Sequence, residues 1–190
     1  MPPVMRPPRR GVTYSEALAA AYASAPEDEI VLDTLEFLHP SFVDENGSPV
    51  AVRVVNDHLP LTARLEAGAP LNGGEEVEFK NVYFTFRRPP ESESASLPEV
   101  ELQVDNVARV LIPYLDAAKE SRVPITMIWR PYLTSDLSGP HMNPPLSLTL
   151  RSVGGDMNRL TARAGFSDLS NRRFPASEYT AKKFPGLTVR

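Results

Sequence analysis

The spacing of hydrophobic and polar positions changes several times along the chain, and each change predicts an element. From Pro98 onward, Val100, Leu102 and Val104 alternate with Glu99, Glu101, Gln103 and Asp105, the period of two of a half-buried strand. Val107, Val110, Leu111, Tyr114, Leu115 and Ala118 then recur at the spacing that gathers apolar groups on one helical face. Asp105 and Asn106 stand where a side-chain oxygen can cap the first free amides. The pattern predicts a helix over about 106–120, and Pro113 inside it requires a kink or a later start near Leu111. Val123 to Leu133 returns to strand composition and holds the only tryptophan, Trp129.

The remaining pattern is almost entirely β. Thr13 and Glu16 make a capping box for a short alanine-rich helix that ends before Pro26, with Leu18, Ala21, Tyr22 and Ala25 on its narrow apolar face. Glu29 to Leu38 reads as a strand covered on both sides, because Ile30 and Leu32 share one face and Val31, Leu35 and Phe37 the other. Asn46-Gly47 supplies the positive φ of a turn, and Pro49–Asn56 and Leu61–Glu66 follow as strands. Between Glu75 and Arg87 the apolar parity slips, from Val77 and Phe79 to Val82, Phe84 and Phe86, which predicts a bulge at Lys80-Asn81. Leu146, Leu148 and Leu150, then Leu160, Ala162, Ala164 and Phe166, alternate on either side of Gly154-Gly155-Asp156, a hairpin signature. Eight or nine strands with turns between them and two helices predict a mainly β fold, an antiparallel barrel or sandwich with one packed helix.

Composition adds boundaries to this picture. Twenty prolines among 190 residues are about twice the usual ~5% share and favour turns and extended arms. Residues 1–12 read as a Pro-rich arm, 13–166 as a single β-rich domain and 167–190 as a C-terminal extended arm. The net charge of −4 argues against nucleic acid as the main partner, since phosphate binding needs a basic surface. With no cysteine there is no disulfide framework, thiolate metal site or thiol nucleophile, which suits a reducing cytoplasm. The opening MPPVMRPPRRG lacks the apolar core of a signal peptide, and no stretch approaches the ~18 apolar residues of a membrane span. The expectation is a soluble chain.

Candidate chemistry is sparse. His39, His58 and His141 are scattered beside loops, and none has a second ligand at short spacing, so no metal site is predicted. Gly73-Gly74 leads into neither a helix nor a Gly-Lys-Ser/Thr motif, and no serine sits in a Gly-x-Ser-x-Gly elbow. Carboxylates brought together from distant strands, as in a glycoside hydrolase, leave no local signature. Neither catalytic residues nor a cofactor is predicted. Trp129, Tyr132 and Arg130 can form either a sugar-stacking platform on an exposed sheet face or part of a core or interface. In the C-terminal segment, Phe174, Pro175, Tyr179, Phe184, Pro185 and Leu187 are anchors on a stretch too irregular for a core of its own. They either fold back on their own domain or dock on a neighbouring subunit.

Several phrases together resemble a known family: VELQVDNVAR, ITMIWRPYL, NPPLSLTLRSV and FSDLSNRRFPASEYTAKKFPGL. They are similar to a domain-of-unknown-function family of minor tail proteins from long-tailed bacteriophages and prophages. The resemblance runs from about Glu29 to Leu187, and its most specific part is Asp168-Leu169, Asn171, Phe174-Pro175, Tyr179 and Phe184-Pro185-Gly186-Leu187. It implies a non-enzymatic virion protein of the tail tip or baseplate, made in the host bacterial cytoplasm. Such a subunit would join the tail tube to the receptor-binding apparatus in a homo-oligomeric ring, as tail-tube and distal-tail-like barrels or sandwiches do. The implied partners are other tail proteins (tube, hub or host-specificity protein), with no membrane and only passive contact with DNA in the lumen. There the acidic loop Glu91–Ser96 would repel passing DNA. The alternative from another class is a carbohydrate-binding sandwich using Trp129 and Tyr132.

Overall fold

The computed structural model describes residues 13–24, 29–87, 99–105, 111–155 and 159–166. Residues 1–12, the acidic loop at 91–96, the start of the expected helix at 106–110 and the segment 167–190 lie outside them.

The fold is mainly β, as the alternation predicts. Nine strands form one sheet in the order β4 (Leu61–Arg64), β5 (Glu76–Asn81), β3 (Val52–Val55), β2 (Val31–Leu38), β8 (Thr126–Leu133), β10 (Leu146–Gly155), β11 (Arg159–Gly165), β7 (Glu99–Asp105) and β6 (Phe84–Arg87). A separate two-stranded ribbon pairs β1 (Thr13–Tyr14) with β9 (Met142–Asn143). Of the two architectures predicted, the sheet is sandwich-like and not a barrel: among the described residues it ends at β4 and β6 and does not close. It is also mixed, because β3 and β5 run parallel, Val54 opposite Lys80 and Val55 opposite Asn81.

The expected bulge at Lys80-Asn81 is instead a change of partner. β5 pairs with β4 and β3, whereas β6, two residues later, pairs with β7 at the far end of the sheet. Each strand has its own buried parity, so the slip from Val77 and Phe79 to Val82 and Phe84 marks a crossing between two ends of the sheet. The Val82 amide donates to the Val55 carbonyl at 3.0 Å, and the Phe84 amide to Asn56 Oδ1 at 3.1 Å, pinning the crossing beside β3. The sheet therefore curls over its own core. Phe86 on β6 stacks on Trp129 of β8, four places away in strand order, with centroids 5.4 Å apart.

The two helices start later than their sequence signals. α1 (Glu16–Ser24) is capped by Ser15, whose Oγ accepts the Leu18 amide at 3.1 Å, and Thr13 lies in β1. Of its predicted apolar face, Leu18 and Ala21 are buried and Tyr22 is half exposed. α2 (Ile112–Ala118) begins after Leu111, with no side-chain cap at that residue, while the expected caps, the Asp105 side chain and Asn106, lie outside what the structure describes. Pro113 sits in the first turn, where its missing amide has no helical partner to lose. Leu111 and Ala118 are buried, and Ile112, Tyr114 and Leu115 pack partly against the main core. Tyr114 meets Phe42 edge-on with centroids 5.3 Å apart.

The sheet buries both faces in its middle. One face carries the main core, with Leu35, Phe37, Met127, Trp129 and Leu148, and burying each such side chain stabilises by about 1.5–3 kcal/mol. The other holds a smaller cluster of Leu32, Val55, Ala63, Val77, Phe79 and Tyr132. The β10–β11 hairpin forms as its alternation predicts, except that Leu150 opposes Ala164 while Ser152 opposes Arg163, leaving Arg151 as an extra residue. Beyond this bulge Ser152, Val153, Gly154 and Gly155 are exposed, so the end of the hairpin stands off the core. Gly155 (φ +142) is required there, since a Cβ would run into the Arg159 carbonyl.

Candidate functional site

A dense polar constellation lies on the second face of β2 and β8. Period two places Thr34 and Glu36 on that face of β2, and Arg130 and Tyr132 on that face of β8. Arg130 Nη1 donates to Glu36 Oε2 at 2.7 Å, while its Nε and Nη2 grip both oxygens of Glu66 at 2.7 and 2.8 Å. Arg53, from β3, donates to Glu36 Oε1 at 2.8 Å and to Asn72 Oδ1 at 3.0 Å. The side chains of Glu36 and Arg130 are fully buried. Burial opposes the Arg130 charge, but Glu66 and Glu36 outweigh it and raise the pKa above its ordinary value. Two guanidinium groups against two carboxylates leave the network formally neutral, and every oxygen of both carboxylates accepts a hydrogen bond. Its chemistry is that of a structural ion network, in which each carboxylate oxygen faces a guanidinium group.

Neither aromatic of the proposed sugar platform is on an exposed face. Trp129 is buried in the main core, its Nε1 donating to Asp33 Oδ1 at 2.9 Å. Tyr132 is buried on the opposite face, donating to the Arg64 carbonyl at 2.9 Å. Residues 129 and 132 differ in parity, so one strand cannot present both to one surface. Burial also raises the Tyr132 pKa well above its ordinary value.

The histidines serve separate corners. His39 Nε2 pairs with the Val123 carbonyl at 3.0 Å, and His39 Nδ1 accepts the Ser41 amide at 3.0 Å. His141 Nδ1 pairs with Ser15 Oγ at 3.0 Å and its Nε2 with the Asp136 carbonyl at 3.1 Å, tying α1 to the β8–β9 loop. No group of three His, Asp or Glu suited to a metal occurs among the described residues.

The surface offers clefts. One of ≈ 680 Å³ runs between α2 and the β10–β11 hairpin, lined by Leu115, Asp116, Lys119, Ile125, Leu150 and Val153 among others. A second, of ≈ 420 Å³, is walled by Pro40, Pro49, Pro70 and Pro124 beside Leu38 and His39. Val123 lines both and is half exposed. The predicted interface residues Phe174, Pro175, Tyr179, Phe184, Pro185 and Leu187 lie outside the described residues.

Residues 17–179 match the family described as a domain of unknown function, DUF1833. The chain belongs to that family. The match takes in α1 from Ala17, the whole nine-stranded sheet, α2 and the first Phe-Pro pair of the C-terminal segment, so the DUF1833 unit extends past β11. No curated protein matches the chain in sequence.

The ion network escaped sequence reasoning, although one signal was present. Glu36 interrupts an apolar run that reads as a covered strand and Arg130 a run of strand composition, and a charge buried in such a place needs a partner. Nothing local identifies Glu66 or Arg53 as those partners.

Proposed function

We propose that this chain is a non-catalytic structural subunit of the tail tip or baseplate of a long-tailed bacteriophage. In this reading it joins the tail tube to the receptor-binding apparatus through ring-forming contacts between copies. The observation that carries it is an overlap: the DUF1833 match over 17–179 covers most of the stretch, Glu29 to Leu187, that resembles minor tail proteins. The open, sandwich-like sheet with one packed helix suits such a role at the level of fold analogy. So do the two clefts that share Val123, because ring subunits need heterologous surfaces to receive their neighbours.

The test is location. Purified particles should contain the chain by mass spectrometry, and gold-labelled antibody should decorate the distal end of the tail. Label on the capsid, or particles lacking the chain altogether, would refute the reading.

A further inference from the structure

The cleft beside α2 and the proline-walled cleft share Val123 and meet along the ridge Val123–Thr126, so that they form one extended depression with apolar and charged walls. Val123 is 50% and Val153 41% exposed on it. Adjoining concave surfaces with exposed aliphatic side chains at their rim give apolar anchors somewhere to seat. Charge along the chain indicates what docks. Residues 13–166 carry 12 Lys/Arg and 22 Asp/Glu, a net charge of −10, whereas residues 167–190 carry five and two, a net of +3. The same basic segment holds Phe174-Pro175 and Phe184-Pro185 with Tyr179 between them. Aromatic groups on a proline-stiffened chain bind apolar clefts at low ordering cost.

We propose that the paired clefts receive residues 174–187 of a second copy of this chain, with the two Phe-Pro units as anchors. Arg172, Arg173, Lys182 and Lys183 flank those anchors and draw the arm to the acidic body of the neighbour. Within the first cleft Asp116 stands with Lys119 and Arg151, so the attraction comes from the body as a whole and is screened by salt. Reach is sufficient. The 24 residues after Phe166 span up to about 80 Å when extended, against a radius of gyration of ~15 Å for a body of this size. The inference rests on the reading of the chain as a self-assembling subunit.

The experiment uses the purified full-length chain and native mass measurement. Val123→Glu with Val153→Glu spoils the clefts at two exposed positions, and Phe174→Ser with Phe184→Ser spoils the arm. The wild-type chain should assemble, and each double variant should weaken association at least about tenfold. Mixing the two variants should restore one-to-one pairs only, one intact arm in one intact cleft. Raising salt from about 0.1 M to about 0.5 M should weaken wild-type assembly. A monomeric wild type would overturn the proposal, as would assembly unaffected by the cleft variant or a mixture that recovers no pairs. A fall in melting temperature with mass unchanged would place the arm on its own body and also overturn it. None of these failures touches location in the tail, which labelled particles decide separately.

Discussion

On one face of β2 and β8, Leu35, Phe37, Met127 and Trp129 meet α2 and the curled end of the sheet. On the other, Glu36 and Arg130 lie fully buried beside Leu32 and Tyr132. The first face is held by area removed from water, which is non-directional and tolerates swaps of similar volume. The second is held by directed bonds among charges whose desolvation is costly, so each member is needed because the others are there. One pair of strands thus carries two kinds of stability, and they fail differently.

The largest effects come from breaking either side outright. Trp129→Ala should cost about 3–5 kcal/mol in urea unfolding, from lost burial and the cavity under Phe86. Glu36→Gln keeps the volume yet should also cost about 3–5 kcal/mol, because it removes the charge that Arg130 and Arg53 both face. The matched swap on the apolar face, Leu148→Met, should cost under about 1.5 kcal/mol. Equal losses for these two same-volume changes would erase the contrast.

A double variant sharpens it. Glu36→Leu with Arg130→Met should cost clearly less than the sum of the two single changes, a coupling of about 0.5–3 kcal/mol. Simple additivity would mean that the network is not a unit.

Tyr132→Phe tests the seam between the two modes, since it removes only the hydroxyl bonded to the Arg64 carbonyl. It should cost about 0.5–1.5 kcal/mol. It should also alter the alkaline limb. The folded-state pKa of Tyr132 is raised above the ordinary 10.0, so its contribution is complete below pH 10 and lost as pH rises beyond it. Wild-type stability should fall above that pH, and the phenylalanine variant should fall less.

The smallest effects belong to the exposed carboxylates. Hydrogen bonds from Ser135 lower the Glu29 pKa, and those from Ser138 lower that of Asp136. Both contributions are present above the ordinary carboxylate range and vanish as pH falls below it. Glu29→Gln and Asp136→Asn should therefore flatten the acid limb of a melting-temperature profile slightly and leave neutral pH nearly unchanged.

What could be read from the sequence was local. The β10–β11 alternation, the strand–helix–strand stretch around α2 and the Asn46-Gly47 turn (Gly47 at φ +80) are each specified by neighbouring residues. Pro113 also foretold the late start of α2, while α1 is capped by Ser15, two residues after the expected Thr13. The parallel β3–β5 pair and the placing of β6 beside β7 are decided by long-range fit, and the parity slip at Asn81 is equally compatible with a bulge. The charges at Glu36 and Arg130 were visible in apolar runs, but their partners Arg53 and Glu66 come from elements that only the topology brings alongside. The candidate interface at Phe174–Leu187 rests on residue chemistry, outside the described residues.

The most direct measurement of the proposed function is electron microscopy of particles assembled without this chain. A tail-tip subunit predicts tails that lack their tips, with infectivity lost and restored when the chain is supplied in trans. Complete tails with unchanged infectivity would contradict that role.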